Sequence, residues 1–365
     1  MSTEQWRLLN LGGLEPYSAQ TLYEAVALAV DRGKAQNTII FCYPTERYVC
    51  LGYHQEVEKE IDLDYCETHS LPVIRRPVGG GATYLDSGQQ FYQVVVGKDS
   101  SIVPARVDDF FKLFLEPPIY AYRQLGVPAE YKPVNDIVAN GRKISGNGAG
   151  TIESVKVLIG NIILDIDFDL MARVLKVPDE KFRDKIAKSM REWVSSLKRE
   201  LGYVPERRKI TDLLVEGYRR IGIELLPGSL TDYEKEVFIG EVKPRHLSRE
   251  WLYMPQYRHQ ELASIRAVKV KGGVRVVEAD HKAKKMIRVT IEVVDEKIRD
   301  ILISGDFFMI PEDASHMLED ALIGSPLERE VLTERVESFY REKSLETSGV
   351  NPLDFVDAIM KAAST

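Results

Sequence analysis

The sequence predicts an α+β protein, with mixed or antiparallel sheets flanked by helices and a second, small α+β domain at its C-terminal end. Three observations carry this reading. Short apolar and β-branched runs crowd residues 37–164, separated by glycine-rich and Asn-Gly turns. Amphipathic helical spacings precede and follow them. Beyond residue 286 an alternating strand pattern turns into a second strand and then into three helical segments. With 365 residues, 44% of them hydrophobic and 29% charged, the chain has material for about two domains with ordinary cores.

Taken in order, a helix is expected over residues 18–32, where Leu22, Val26 and Val30 share a face and Gly33 stops the run. Residues 37–42 and 47–53 read as strands, and a third over 71–76 leads straight into Gly79-Gly80-Gly81. Residues 82–85 and 90–96 read as a strand pair around Asp86-Ser87-Gly88. Residues 104–126 are expected to be helical, interrupted at Pro117-Pro118. Strands over 136–139, 143–145 and 155–164 follow, separated by Asn140-Gly141 and by the glycine-rich residues 146–150. Asn-Gly between two apolar runs marks a hairpin, because both residues tolerate positive φ.

Residues 179–201 form an amphipathic helical pattern, with Phe182, Ile186, Met190, Trp193, Val194, Leu197 and Leu201 on a stripe expected to pack in the core. A further helix is expected over 211–221. The periodicity breaks near Met254-Pro255-Gln256, which places a boundary between residues 253 and 263, with a first domain over 1–255 and a second over 263–365. In the second, Ile287, Val289, Ile291 and Val293 alternate with Arg288, Thr290 and Glu292 as a half-buried strand. Asp295-Glu296-Lys297 turns it into residues 298–304. Helices follow over 315–323, 327–342 and 352–362, the last capped by Asn351 with Pro352 in its first turn.

Composition excludes several function classes. A net charge of -7 supplies no bulk basic field for nucleic acid, so any anion site must be local. No run approaches the ~18 apolar residues of a membrane span, and the N-terminal residues lack the basic and apolar regions of a secretion signal. A cytoplasmic monomer that engages neither membrane nor nucleic acid is expected. Cys42, Cys50 and Cys66 include no C-x-x-C pair, and the six histidines include no H-E-x-x-H, so neither a disulfide framework nor a zinc site is written in the chain.

Two local patterns carry chemistry. In Arg75-Arg76-Pro77-Val78-Gly79-Gly80-Gly81-Ala82-Thr83-Tyr84, three glycines after a strand let backbone N–H groups approach an anion, and Arg76 adds a planar, permanent cation. The same glycines also suit a plain turn. Neither G-x-x-x-x-G-K-[ST] nor G-x-G-x-x-G is present, so P-loop and Rossmann readings fail. In Asn135-Asp136-Ile137-Val138-Ala139-Asn140-Gly141-Arg142-Lys143-Ile144-Ser145-Gly146, a hairpin puts Asp136 and Lys143 on paired strands, facing one another or a shared ligand. A lysine simply pointing into water is the commoner arrangement.

Together, about fifty residues apart, the two patterns resemble those of the lipoate–protein ligase family, within the wider biotin/lipoate ligase and transferase group. The resemblance extends to Trp6-Arg7-Leu8-Leu9, to Gly52-Tyr53-His54-Gln55 and to Arg249-Glu250-Trp251. In the C-terminal part, Ile303-Ser304-Gly305-Asp306-Phe307-Phe308 and Leu318-Glu319-Asp320-Ala321-Leu322-Ile323-Gly324 resemble the accessory domain of two-domain ligases. It implies a biotin/lipoate ligase-like catalytic domain and a two-step reaction. Lipoate and MgATP give lipoyl-AMP and pyrophosphate, and the lipoyl group then passes to a lysine of an acceptor, an H-protein-like protein or the lipoyl domain of a 2-oxoacid dehydrogenase.

Carried over by position, Arg76 and the backbone of Gly79, Gly80, Gly81, Ala82, Thr83 and Tyr84 would hold ATP phosphates. Lys143 would be the catalytic cation between carboxylate and α-phosphate. Asn135, Asp136, Ser145 and Gly146 would line the adenylate, with Asp136 toward Mg²⁺. In the transfer step, neutralising the attacking lysine at pH 7 costs about 4–5 kcal/mol from a pKa of ~10.4, and no side chain announces itself as the base. Departures from the family pattern at Pro77, Leu85, Gln89-Gln90 and Ile159-Gly160 imply a less polar lipoate pocket. The resemblance also implies that the accessory domain closes over the adenylate, with Pro255 as a hinge candidate, and an acidic acceptor would suit a basic surface around Arg75, Lys132 and Arg142.

Two other readings compete. An octanoyl- or lipoyl-transferase needs no ATP but works through a cysteine thioester. Here every cysteine precedes Gly79, residues 128–134 contain none, and the apolar settings of Cys42 and Cys50 predict buried structural thiols. A non-catalytic binder of lipoate or its adenylate has no need of a cation aimed at the α-phosphate, so carrying both Arg76 and Lys143 argues against it.

Overall fold

A computed structural model of the chain describes residues 3–176, 183–260, 262 and 274–364. Contacts divide the chain into two compact units, the first made of Met1–Cys50, Ile61–Arg76 and Thr83–Leu247, the second of Leu51–Glu60, Pro77–Ala82 and Ser248–Thr365. The expected boundary between residues 253 and 263 falls partly on 261 and 263, outside the described residues.

The first unit begins with β1 (Glu4–Leu14), α1 (Pro16–Asp31), β2 (Thr38–Pro44), β3 (Tyr48–Leu51), β4 (Val73–Arg75), β5 (Thr83–Leu85) and β6 (Gln89–Val96). It continues with α2 (Val107–Gln124), β7 (Ala129–Lys132), β8 (Asp136–Ala139), β9 (Arg142–Ser145), β10 (Asn147–Ile152) and β11 (Val155–Ile163). The helices α3 (Arg183–Trp193), α4 (Leu197–Leu201) and α5 (Arg207–Arg220) precede β12 (Ile223–Pro227). A six-stranded sheet runs β10-β11-β6-β2-β1-β12. It is mixed, since β1 pairs parallel with both β2 and β12 while the other neighbours are antiparallel. The apolar runs of β2 and β6 are buried along almost their whole length, as strands covered on both faces require. Two three-stranded sheets, β4-β3-β5 and β7-β8-β9, complete the unit. Helix α1 packs on β2, β6 and β11. Its start is fixed by the Glu15 carboxylate, which accepts the Tyr17 and Ser18 N–H groups, and by Pro16 at the first position.

Four expectations need correction here. Strands β5 and β6 do not pair with each other; β5 pairs with β3, and β6 with β2 and β11. Asp86 accepts the Gly88 N–H at 2.7 Å and turns the chain from one sheet into the other. Helix α2 runs unbroken through Pro117 and Pro118. Both prolines are buried, and a Cβ at Gly217 of α5 would lie 2.7 Å from Pro117 Cα, so the close approach of the two helices offsets the lost backbone bonds. Residues 147–152 form the edge strand β10 rather than a spacer. The helix expected over 179–201 is broken. Ser195 donates its N–H to the Lys143 carbonyl at 2.8 Å, and Ser196 caps α4 by accepting from Arg199 N–H. Trp193, assigned to the core by its spacing, is 63% exposed. Phe182, from the same stripe, lies outside the described residues.

The second unit holds β13 (Val274–Lys282), β14 (Met286–Val294) and β15 (Lys297–Gly305) as an antiparallel sheet. The short pair β16 (Phe308–Ile310) and β17 (Glu346–Ser348) joins α6 (Ala314–Leu322), α7 (Arg329–Lys343) and α8 (Pro352–Ala363). Asp295 and Glu296 both have positive φ, 50° and 57°, as a tight two-residue hairpin between β14 and β15 demands. Ile287, Val289, Ile291 and Val293 are buried with Ile301, Ile303, Leu318, Val336, Phe355 and Ile359 in one core. Among the described residues no helix is long and apolar enough to cross a membrane.

Candidate active site

The hairpin of β8 and β9 closes through Asn140 and Gly141 at φ 49° and 78°, the left-handed pair that the sequence demanded. Val138 lies opposite Lys143 and Ile137 opposite Ser145, so Ile144 is an extra residue in a bulge. Asp136 and Val138 share a face, which makes Lys143 the diagonal neighbour of Asp136. The two close an ion pair of 2.6 Å with side chains 37% and 30% exposed. Pairs between side chains exposed to this degree contribute about 0–1 kcal/mol to folding, and the Asp136 Oδ1 atom that closes this one is itself buried.

Its mount is rigid. Asn147 donates from Nδ2 to the Asn135 carbonyl at 3.0 Å, and Asn135 donates back to the Asn147 carbonyl. The Tyr92 hydroxyl of β6 donates to Asn147 Oδ1 at 2.5 Å and lies 3.1 Å from Ser145 Oγ. Gly146 N–H donates to Asn161 Oδ1 at 2.7 Å, and Asn161 donates to Gln89 Oε1 at 2.7 Å. All of these side chains are buried, so the amide network is satisfied internally and ties the hairpin to the large sheet. Burial raises the Tyr92 phenol well above its ordinary pKa, so it stays a neutral donor. Gly160 of β11 is necessary here: a Cβ would collide with Asn147 Oδ1 and with the Tyr92 ring. Sequence reading missed Asn147, Asn161 and Tyr92. The only available signal was an amide set between glycines beside the lysine motif.

The other sequence-derived residues divide between the two units. Arg76 is buried in the first, with Nη1 3.4 Å from Cys50 Sγ. Thr83 and Tyr84 lie in β5, where the Tyr84 hydroxyl donates to Asp86 Oδ2 at 2.8 Å. Burial, reinforced by the Asp86 charge, lifts the Tyr84 pKa far above the ordinary tyrosine value. Gly79, Gly80, Gly81 and Ala82 belong to the second unit. Gly80 has φ 98° and donates its N–H to the Phe307 carbonyl at 3.3 Å, and a Cβ at Gly79 would lie 2.5 Å from that same oxygen. Asn135, Asp136, Lys143, Ser145 and Gly146 are thus brought together in the first unit, while the glycines abut the β15–β16 corner of the second.

The basic surface expected around Arg75, Lys132 and Arg142 is not formed. Arg75 is wholly buried, its carbonyl held at 2.9 Å by His246 Nδ1, and Arg142 is paired with Glu200 at 3.0 Å. All three thiols are buried, as the apolar settings of Cys42 and Cys50 predicted. Burial pushes Cys42 up to about 12 and Cys66 up to about 11, the latter helped by Asp62. It raises Cys50 as well, against the opposing pull of Arg76.

Fold and site together define a mixed α/β enzyme scaffold with a mounted cation–carboxylate pair and a small C-terminal α+β appendage. The family model for the lipoyl protein ligase A/B catalytic domain matches residues 15–219, and that for the bacterial lipoate protein ligase C-terminus matches residues 282–359. The chain belongs to the lipoate ligase and transferase family, in its two-domain form. It is 28% identical over 331 residues to the lipoate-protein ligase LplJ of Bacillus subtilis, covering 89% of this chain and 91% of the relative. It is equally 28% identical over 272 residues to the octanoyltransferase LipM of Moorella thermoacetica, covering 69% of this chain and 99% of that one. Among solved structures it resembles lipoate-protein ligase A bound with ATP, at 25% identity and TM-score 0.55 over 68% of this chain and 99% of the other.

Proposed function

We propose that the chain is an ATP-dependent lipoate–protein ligase. Lipoate and ATP give lipoyl-AMP and pyrophosphate. An acceptor lysine nitrogen then attacks the lipoyl carbonyl, the amide bond forms, the acyl–phosphate bond breaks, and AMP leaves as the amine proton passes to solvent. The observation that carries this reading is the Asp136–Lys143 pair, held on a hairpin by a buried amide network. Bringing a carboxylate onto a phosphate sets two anions together, and a pre-positioned cation between them is the chief electrostatic requirement. Lys143 meets it as a compact charge on a rigid mount.

In this reading Asn135, Ser145 and Gly146 line the adenylate, and Arg76 with Thr83 and Tyr84 of the same unit holds the phosphates. Mg²⁺ is commonly bound through one or two carboxylates together with substrate phosphates, and the single carboxylate of Asp136 suits that donor set. The assignment of a catalytic domain over 1–255 and an accessory domain over 263–365 belongs to the same reading, and each family model falling within one of them supports it. Action as a cytoplasmic monomer on an H-protein-like protein or on the lipoyl domain of a 2-oxoacid dehydrogenase belongs to the same reading.

The LipM relatives favour a second reading, acyl transfer without ATP. That chemistry needs an accessible thiolate, and the buried, protonated state of Cys42, Cys50 and Cys66 supports the ligase instead. Mass spectrometry of an unmodified E2 lipoyl domain separates the two. The mass of a lipoyl group is expected with ATP and lipoic acid and is expected to vanish without ATP. Acylation from an octanoyl-carrier protein without ATP, with none from either free acid plus ATP, would overturn the ligase.

A further inference from the structure

We infer that Glu200, on the short helix α4, is a positioning residue for Lys143; the inference deepens the ligase reading and rests on it for the role of that lysine. Strand β9 is an outer strand of its three-stranded sheet, so its far edge needs a partner of its own. Residues 194 and 195 supply it. Val194 forms a parallel bridge with Lys143, and Ser195 donates its N–H to the Lys143 carbonyl at 2.8 Å. Glu200 fastens that segment to the hairpin turn. Its Oε1 accepts from the Ser195 hydroxyl and from Arg142 Nη2, the latter at 3.0 Å, and its Oε2 accepts from Asn140 Nδ2 at 2.8 Å.

Asn140 and Arg142 stand on either side of Gly141, so one carboxylate grips both arms of the turn. The Glu200 side chain is 6% exposed. Burial opposes its charge, but hydrogen bonds from Ser195, Asn140 and Arg142 outweigh burial and hold its pKa below the usual carboxylate range. It is ionised at neutral pH, and bonds to a charged acceptor are the stronger kind. The amide network secures the open end of the hairpin at Asn135 and Ser145, and Glu200 secures the closed end, so Lys143 lies between two anchors. A cation stabilises developing charge best when its mount is fixed beforehand. Loss of one anchor displaces the ammonium without touching substrate, and a displacement of about 1 Å can cost roughly a hundredfold in rate.

The test measures lipoate-dependent pyrophosphate release by the full chain and by Glu200→Ala, Glu200→Gln and Asn140→Gly, with Glu200→Ala also made in a Lys143→Ala background. Hydrogen exchange at the Ser195 amide is followed by NMR in each. Glu200→Ala is expected to lower kcat at least tenfold, with KM for ATP and for lipoate within threefold of the parent, and to speed Ser195 exchange at least tenfold. Glu200→Gln keeps an acceptor for Ser195 and Arg142 and should stay within threefold of the parent in both. Asn140→Gly removes one bond without straining the turn and should lower kcat at least threefold. In the Lys143→Ala background Glu200→Ala should cost less than a further twofold, because its effect passes through Lys143. An equal loss in both backgrounds would show a merely structural residue and overturn the proposal. So would parental kcat or parental Ser195 exchange in Glu200→Ala. If that variant does not fold, parental kcat in Asn140→Gly overturns the proposal instead. A parent that makes no adenylate contradicts the ligase reading alone, since Ser195 exchange still decides whether Glu200 braces the lysine.

Discussion

At Gly160 the absence of a side chain decides whether Asn147 can hold the Asn135 carbonyl, and through it the strand that carries Asp136. Gly160→Ala forces Asn147 or Tyr92 to move, and overpacking of this kind costs roughly 1–3 kcal/mol. Denaturant unfolding should show that loss together with a lower adenylation rate; a variant matching the parent in both would contradict the role given to the amide network. In the C-terminal unit, burial opposes charge on His259. Hydrogen bonds to Asp300 at 2.8 Å and Glu319 at 3.1 Å outweigh it and hold its pKa at about 9. A raised folded pKa means this contribution is complete below the unfolded value of ~6.5 and fades as pH rises through 9. Across that window the parent Tm should fall relative to that of His259→Gln. Parallel Tm curves would show that the imidazolium contributes nothing.

The hairpin of β8 and β9 depends on its two-residue turn. Gly141 sits at φ 78°, and Gly141→Val should cost about 1 kcal/mol or more in denaturant unfolding, with a larger effect on adenylation because Lys143 lies two residues away. Equal stability would remove the turn from the account. This element, the Asp295-Glu296 turn and the start of α8, where Asp354 accepts the Asn351 N–H at 2.7 Å, were all legible in the sequence because each is fixed by residues within four positions of one another. The separation of β5 from β6 was not legible, since strand partners are chosen by distant segments. Pro117 and Pro118 misled for a related reason: the contact that offsets them comes from Gly217, about a hundred residues later. The break after Trp193 is likewise set by the Lys143 carbonyl, which no local pattern announces. Of the candidate site, the lysine motif and its carboxylate could be read directly, whereas Asn147, Asn161 and Tyr92 are visible only once β6, β10 and β11 lie side by side.

For the whole molecule, the decisive contrast is between two chemistries that one scaffold supports in different relatives. Acyl transfer through a thioester needs a thiolate, and the three thiols of this chain are buried and held protonated. Adenylation needs a fixed cation, and in the proposed reading Lys143, paired with Asp136 at 2.6 Å, is that cation. The most direct measurement is lipoate-dependent release of pyrophosphate from ATP, with no acceptor present, by the parent and by Lys143→Ala, alongside circular dichroism of both. The parent is expected to release pyrophosphate only with lipoate, and the variant, folded like the parent, to lose at least a hundredfold in rate. Pyrophosphate release at the parental rate from folded Lys143→Ala would contradict it.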